Sequence, residues 1–244
     1  MKGEGVVGGG EGVALPGPSP AKIPADDMPD WGEIFADPLM QRLPPNPEVM
    51  GLLPDLRARG VRLVLDAGCG AGRHLAPLAA AGFQVLGVDR QWSVLRELSP
   101  RLRTLQHAAG LAQANLKSLP LPDCIFDFAL SVNVINHGYV SDFEAYCREL
   151  NRALKPKGLL FISVSPRKFA DLVLLPETVE LEPGTLVKIA TPDGDLVHHF
   201  PTPESLAAQF SGYNILRLQT IQTPIPFMDG KEMPQLVFLG EKYR

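Results

Sequence analysis

From Val61 onward, strand-like and helix-like segments alternate along the chain. That alternation predicts an α/β fold, a doubly wound and mostly parallel sheet with helices on both faces. RLVLD (62–66), FDFALSV (126–132) and LLFISV (159–164) are short, largely apolar runs, as expected of strands buried on both faces. The length of 244 residues suits one such domain and is short for two.

Each element follows from local chemistry. Residues 1–26 are dominated by Gly and Pro without any helix or strand period, so they read as a disordered tail ahead of a domain spanning 27–244. Trp31 to Met40 reads as a short helix or a lid. Asn46 can cap a helix that begins at Pro47, carries Val49, Leu52, Leu53 and Leu56 on one face, and stops at Gly60. Pro54 inside that run predicts a kink or a late start. After the strand at 62–66 comes a helix at 71–81 stopped by Gly82, then a strand at 83–89 and a helix at 91–98. A third strand ends near Asn115, although GLAQANL is poor in β-branched residues. Beyond the strand at 126–132, Ser141 and Glu144 have capping-box spacing. They open a helix that Lys155, Pro156 and Gly158 close, ahead of the strand at 159–164. Residues 166–200 read as an insertion with a hairpin around TPDGD (191–195). Thr202 and Pro203 start a helix closed by Gly212, and two strands, 215–223 and 235–242, finish the chain.

Composition narrows the function. The net charge is −4 and no dense Lys/Arg run exists, so the basic excess that neutralises phosphates is missing and no nucleic-acid partner is expected. Cys69, Cys124 and Cys147 are odd in number, widely spaced and without a C-x-x-C pair, so neither a disulfide framework nor a zinc site, and no metal, is expected. The N-terminus lacks the charged-then-apolar pattern of a secretory signal, and no run approaches the ~20 apolar residues of a membrane span. A cytoplasmic protein with no membrane partner is the expectation.

The chemistry concentrates in Val64-Leu65-Asp66-Ala67-Gly68-Cys69-Gly70-Ala71-Gly72, a glycine-rich turn leaving a buried strand. Glycines there allow a tight turn and close approach to a ligand. The next strand ends in Asp89, whose carboxylate can accept from both ribose hydroxyls of an adenosine. A dinucleotide would bring its pyrophosphate beside Asp66, which is electrostatically unfavourable. The ammonium and sulfonium of S-adenosylmethionine would gain from that acid. The loop spacing also differs from the G-x-G-x-x-G of NAD sites.

VLDAGCGAGRH, VLGVDR, ANLKSLPLPDCIFDFALSVNVINH and ELNRALKPKGLLFISV, in that order, resemble the successive motifs of class I S-adenosylmethionine-dependent methyltransferases, from about Val61 to Val164. The resemblance implies a Rossmann-like, seven-stranded sheet with an antiparallel last strand, S-adenosyl-L-methionine as cofactor, and methyl transfer. It implies that Asp66, Gly68 and Gly70 line the methionine part of the cofactor, that Asp89 holds the ribose, and that Arg90 lies near the adenine. Asn115 stands where the family usually has an Asp that accepts from the adenine amino group. Leu116 would offer its N–H to the ring, and Ser131 would face the methionine end.

Other residues carry two readings each. Asp89 is also placed to cap the helix after it. Trp92 either stacks on adenine or packs under the sheet. His137, just past the fourth strand, is a general base, an acceptor-orienting group or a hydrogen-bonded loop histidine. His198 and His199 are adjacent, so in a strand they point to opposite faces and make no chelating pair. His74 and His107 read as solvent-facing helix residues, and Cys69 as a small loop residue without a nucleophilic role. The sequence N-V-I-N after the fourth strand lacks the N-P-P-Y pattern of adenine or glutamine methylation, and there is no Pro-Cys nucleophile of a cytosine C5 enzyme. An insertion and an N-terminal segment covering the pocket favour a small-molecule acceptor. A non-catalytic cofactor-binding or scaffold protein of the same fold is the alternative, and an NAD-dependent oxidoreductase is disfavoured by Asp66 and the loop spacing.

Overall fold

The computed structural model describes residues 31–103, 109–224 and 231–243. The expected tail at 1–26, and His107, lie outside them. Four short helices come first: α1 (Trp31–Ala36), α2 (Pro38–Gln41), α3 (Pro47–Gly51) and α4 (Leu53–Ala58). Then β1 (Leu63–Ala67), α5 (Leu75–Ala80), β2 (Gln84–Asp89), α6 (Trp92–Arg103), β3 (Ala109–Gln113), β4 (Phe126–Val132), α7 (Val140–Ala153) and β5 (Leu154–Val164) alternate. The insertion holds α8 (Arg167–Ala170), β6 (Val179–Glu182), β7 (Thr185–Val187) and β8 (His198–His199). The chain closes with α9 (Pro203–Ala208), β9 (Tyr213–Pro224) and β10 (Glu232–Lys242).

Seven strands form one sheet in the order β3-β2-β1-β4-β5-β10-β9. The pairs β2/β3, β1/β2, β1/β4 and β4/β5 are parallel, and β10 runs antiparallel between β5 and β9. The expected mostly parallel sheet with an antiparallel last strand is therefore present. Period-two alternation divides its side chains between two cores. Leu65, Ala67, Ala129 and Ile162 pack with Phe143, Cys147 and Leu150 of α7 and Leu206 of α9. Val64, Phe128, Leu130 and Phe161 pack with Val49, Leu56, Leu75, Leu78, Leu95 and Leu98 from the helices on the other side. The strand order reverses between β1 and β4, so the connections leaving their carboxyl ends part there and open a crevice.

Several local expectations need correction. Helix α5 begins at Leu75, not near 71, because Gly72 adopts φ +78° and breaks the helix there. Helix α6 runs through Pro100 to Arg103, and Leu102 packs into the core. The capping box of α7 is shifted: Tyr139 donates its N–H to Asp142 Oδ2 (3.0 Å), while Ser141 lies inside the helix. Residues 155–158 form a bulge within β5, where the pairing jumps from Phe126–Leu154 to Phe128–Leu159. The tight hairpin of the insertion joins β6 to β7 around Gly184, and 191–195 lies instead in the longer connection from β7 to β8. Asn46 accepts from Glu48 and Val49 N–H as the cap of α3, and Pro54 coincides with the break before α4, as the sequence predicts.

Candidate active site

The glycine-rich turn leaves β1 at the crevice and is built from left-handed backbone. Gly68 has φ +77° and Gly70 +49°. A Cβ on Gly68 would lie 2.4 Å from the Val134 side chain, and one on Gly70 would lie 2.6 Å from the Phe35 ring. These two positions admit no larger residue without displacing the β4–α7 loop or helix α1.

The N–H groups of Gly68, Cys69 and Gly70 are committed internally. Gly68 and Cys69 both donate to the Val88 carbonyl (2.7 and 3.0 Å), and Gly70 donates to Asp89 Oδ2 (2.9 Å). Helix α5 starts further on, at Leu75, five residues beyond Gly70. Those three groups are therefore not free to cradle the pyrophosphate of a dinucleotide.

Carboxylates flank the turn instead. Asp66 is 2% exposed, and its Oδ2 has no hydrogen-bond partner. His74 Nδ1 lies 3.7 Å from it, beyond hydrogen-bond length. His74 is buried rather than solvent-facing, and its Nε2 accepts from Asn46 N–H (3.1 Å). Asp89 accepts from Gly70 through Oδ2 and from Gln91 N–H through Oδ1 (2.9 Å), so it does cap the segment entering α6. Each oxygen keeps a further lone pair for a hydroxyl. Burial raises the Asp89 pKa above its ordinary value, partly offset by those N–H groups. Burial, with Asp66 and Asp89 nearby, pushes the Cys69 thiol well up, which removes it as a nucleophile.

Arg90 is exposed beyond the end of β2, and its carbonyl accepts from Gln113 Nε2 (3.1 Å). Asn115 is exposed, and its Oδ1 accepts from Lys117 N–H (2.9 Å), which leaves one lone pair for a ligand. Leu116 is buried beside it. Ser131 is fully buried near the carboxyl end of β4, with no partner for its Oγ; Asn133 Oδ1, two residues on, is also unpartnered. Trp92 is 57% exposed and does not pack under the sheet.

On the far side of the crevice, His137 Nδ1 meets the Val134 carbonyl (3.0 Å) and its Nε2 meets Asp193 Oδ2 (3.0 Å). His198 Nε2 lies 3.3 Å from the same carboxylate oxygen. Burial lowers the His137 pKa. Burial alone would raise Asp193, but the two histidines outweigh it and hold its carboxyl well below the usual range. His199 points away, against Thr185 Oγ1 (3.1 Å) and the Phe143 ring, as strand alternation requires. Tyr146 donates to the His137 carbonyl (3.3 Å), and burial raises its pKa to about 12, so it stays protonated at neutral pH. Helix α1 bridges the two sides. Phe35 covers Gly70, while Trp31 stands edge-on to the His137 ring with centroids 4.6 Å apart. Asp193 and His198 were not singled out as site residues from sequence; their link to His137 spans 56 positions or more and leaves no local signal.

Residues 65–162 match the family model described as Methyltransferase domain. Over that segment the chain is similar to S-adenosylmethionine-dependent methyltransferases. A probable S-adenosylmethionine-dependent methyltransferase of Mycobacterium tuberculosis is 35% identical over 106 residues, 43% of this chain and 36% of the relative. The match thus spans about a third of that curated relative's length. A methyltransferase structure from Methanosarcina mazei superposes with TM-score 0.66 at 20% identity, covering 82% of this chain and 99% of that one. The 1,6-didemethyltoxoflavin-N1-methyltransferase of Burkholderia thailandensis, solved with 1,6-didemethyltoxoflavin and S-adenosylhomocysteine, gives TM-score 0.58 at 20% identity over 88% of this chain and 83% of that one. Both structures share the methyltransferase fold with this chain. Among the described residues, no helix is long and apolar enough to cross a membrane.

Proposed function

We propose that this protein transfers a methyl group from S-adenosylmethionine to a small-molecule acceptor. The observation that carries the reading is the glycine-rich turn, whose N–H groups are spent on Val88 and Asp89 while two carboxylates flank it. That environment repels a pyrophosphate and suits a cationic, phosphate-free adenosine ligand. When bound, the cofactor supplies an already activated methyl group on a sulfonium. Asp66 Oδ2 and Ser131 Oγ, both buried without partners, would accept from its methionine end, the left-handed turn at Gly68 and Gly70 would lie beside it, and Asp89 would accept from the ribose. Arg90, Asn115 and Leu116 border the adenine.

Methyl transfer of this kind needs alignment and exclusion of water more than acid–base groups. Helix α1, with Phe35 against Gly70 and Trp31 against His137, and the insertion bridged to the β4–α7 loop would serve both. His137 orients the acceptor wall. Both its ring nitrogens are already engaged, by Val134 and Asp193, which disfavours a general-base role. The cover over the crevice favours a small acceptor, and the Burkholderia relative was solved with one bound. Three free cysteines, two of them buried, suit a reducing compartment such as the cytoplasm.

Isothermal titration of the full chain tests the cofactor half. S-adenosylhomocysteine should bind saturably and NAD should not; tight NAD binding would overturn the reading. Saturable cofactor binding with no turnover across a broad acceptor panel would favour a non-catalytic binding protein instead.

A further inference from the structure

His137 of the β4–α7 loop meets Asp193 and His198 of the insertion, and their ligand atoms all lie within 4.8 Å of one another. Backbone pairing fixes them. His137 and His198 form an antiparallel bridge, Gly138 donates to the Val197 carbonyl (2.8 Å), and His199 donates to the Asn136 carbonyl (2.7 Å). The two imidazoles stand with centroids 4.8 Å apart.

Their hydrogen bonds determine the tautomers. His137 Nδ1 faces the Val134 carbonyl at 3.0 Å, and His198 Nδ1 faces the Leu196 carbonyl at 2.9 Å. A carbonyl only accepts, so each ring carries a proton on Nδ1. Each neutral ring then presents the lone pair of Nε2. Both of these nitrogens are directed at one oxygen, Asp193 Oδ2, at 3.0 and 3.3 Å. Three lone pairs converge with no hydrogen between them, which is repulsive unless a positive charge sits among them. A second proton on one ring makes a hydrogen bond to the carboxylate but leaves the other Nε2 lone pair facing it without a hydrogen, and a second proton on each would place two imidazolium ions side by side, with the side chains only 13% and 4% exposed. Such a buried like-charged pair is costly.

We propose that His137 Nε2, His198 Nε2 and Asp193 bind a divalent transition-metal ion of the zinc class. A tetrahedral zinc ion with bonds of about 2.0–2.1 Å sets its ligand atoms about 3.3 Å apart, close to the two spacings around Asp193. Metal-bound histidines characteristically donate their other ring N–H to a carbonyl or carboxylate, as both do here. Two imidazoles and a carboxylate select zinc or a neighbouring first-row ion over calcium or magnesium. Among the described residues no fourth His, Cys, Asp or Glu joins the group, so one coordination position is open to water or to an oxygen or sulfur atom of the acceptor. The metal site stands on this geometry alone; its use by the acceptor rests on the methyl-transfer reading above.

The test uses the full chain after chelator treatment. Titration with Zn2+ should show one saturable equivalent, and Co2+ should develop the visible absorption of a low-symmetry nitrogen–oxygen site. His198→Ala and Asp193→Ala should each weaken Zn2+ binding by at least about 100-fold while near-native circular dichroism is kept. If a variant does not fold, the wild-type Co2+ spectrum and a Zn2+-dependent rise in melting temperature decide. No saturable uptake by the wild type, or unchanged affinity in both folded variants, would overturn the site. S-adenosylhomocysteine is titrated into the same wild-type sample. Metal uptake without nucleoside binding would sink the methyl-transfer reading and leave the metal site standing.

Discussion

The two banks of the crevice are built in different ways. The bank at β1 and β2 is a backbone device: left-handed glycines, N–H groups spent on Val88 and Asp89, and carboxylates one strand apart. All of it lies within one strand–turn–helix–strand unit. The bank at β4 is a side-chain device. It joins the β4–α7 loop to two points of the insertion through Asp193 and His198, with Trp31 from the far N-terminal helix resting on His137. The first bank suits a ligand common to a whole fold family, and the second suits an acceptor particular to this chain.

If the banks divide the work in this way, substitutions should separate affinity from turnover. The largest effect belongs to Asp89→Ala. A hydrogen bond to a charged group is worth roughly 1.5–3 kcal/mol, so losing both ribose hydroxyls should weaken S-adenosylhomocysteine binding by about 10²- to 10⁴-fold by isothermal titration. Because burial raises the Asp89 pKa, wild-type affinity should fall on acidification at a pH above the ordinary carboxylate range. Its contribution to the stability of the ligand-free domain runs the other way. A folded-state pKa above the unfolded one gives stability that is present at low pH and lost as pH rises through the raised value. Affinity in the variant that matches wild type would remove Asp89 from the site.

His137→Ala comes next and should act on the other bank. Turnover with any acceptor found by screening should drop about 10²-fold, the cost of misplacing a reactant, while S-adenosylhomocysteine affinity stays within a few-fold. Equal losses in both would merge the two banks. Gly68→Ala is smaller. A left-handed non-glycine residue costs about 1–2 kcal/mol, and its Cβ also meets Val134, so the melting temperature should fall by several degrees and affinity by about 10-fold. The smallest effect is chemical. A maleimide should label Cys124, which is exposed, and leave Cys69 and Cys147, both buried with raised pKa values, unmodified in the folded protein. Fast modification of all three would mean that the loop side opens readily.

What was legible in the sequence follows the same division. The strands at 62–66 and 126–132 appear at or within one residue of their expected places, because continuous apolar runs bounded by turns have one good solution. The glycine turn and Asp89 were legible because neighbours in sequence build them. A helix drawn from 71 by sequence pattern would put His74 on its solvent face. With Gly72 left-handed, His74 instead sits in a turn and ties back to Asn46. The capping box was placed two residues late because S-x-x-E also fits the spacing, whereas Gly138 at φ +130° turns the chain so that Tyr139 is the cap. Asp193 reads from sequence only as a turn former; His198 is five residues on, but His137, 56 positions away, lies beyond any local pattern. His198 and His199 do diverge, as alternation requires, but His198 finds its companions in other segments.

The most direct measurement of the central claim is a crystal structure of the full chain with S-adenosylhomocysteine. The account predicts the ribose hydroxyls on Asp89, the homocysteine end over Gly68 and Gly70 beside Asp66, and the sulfur facing the wall that carries His137. A nucleoside bound elsewhere, or one at this crevice that leaves Asp89 without a ribose contact, would contradict it.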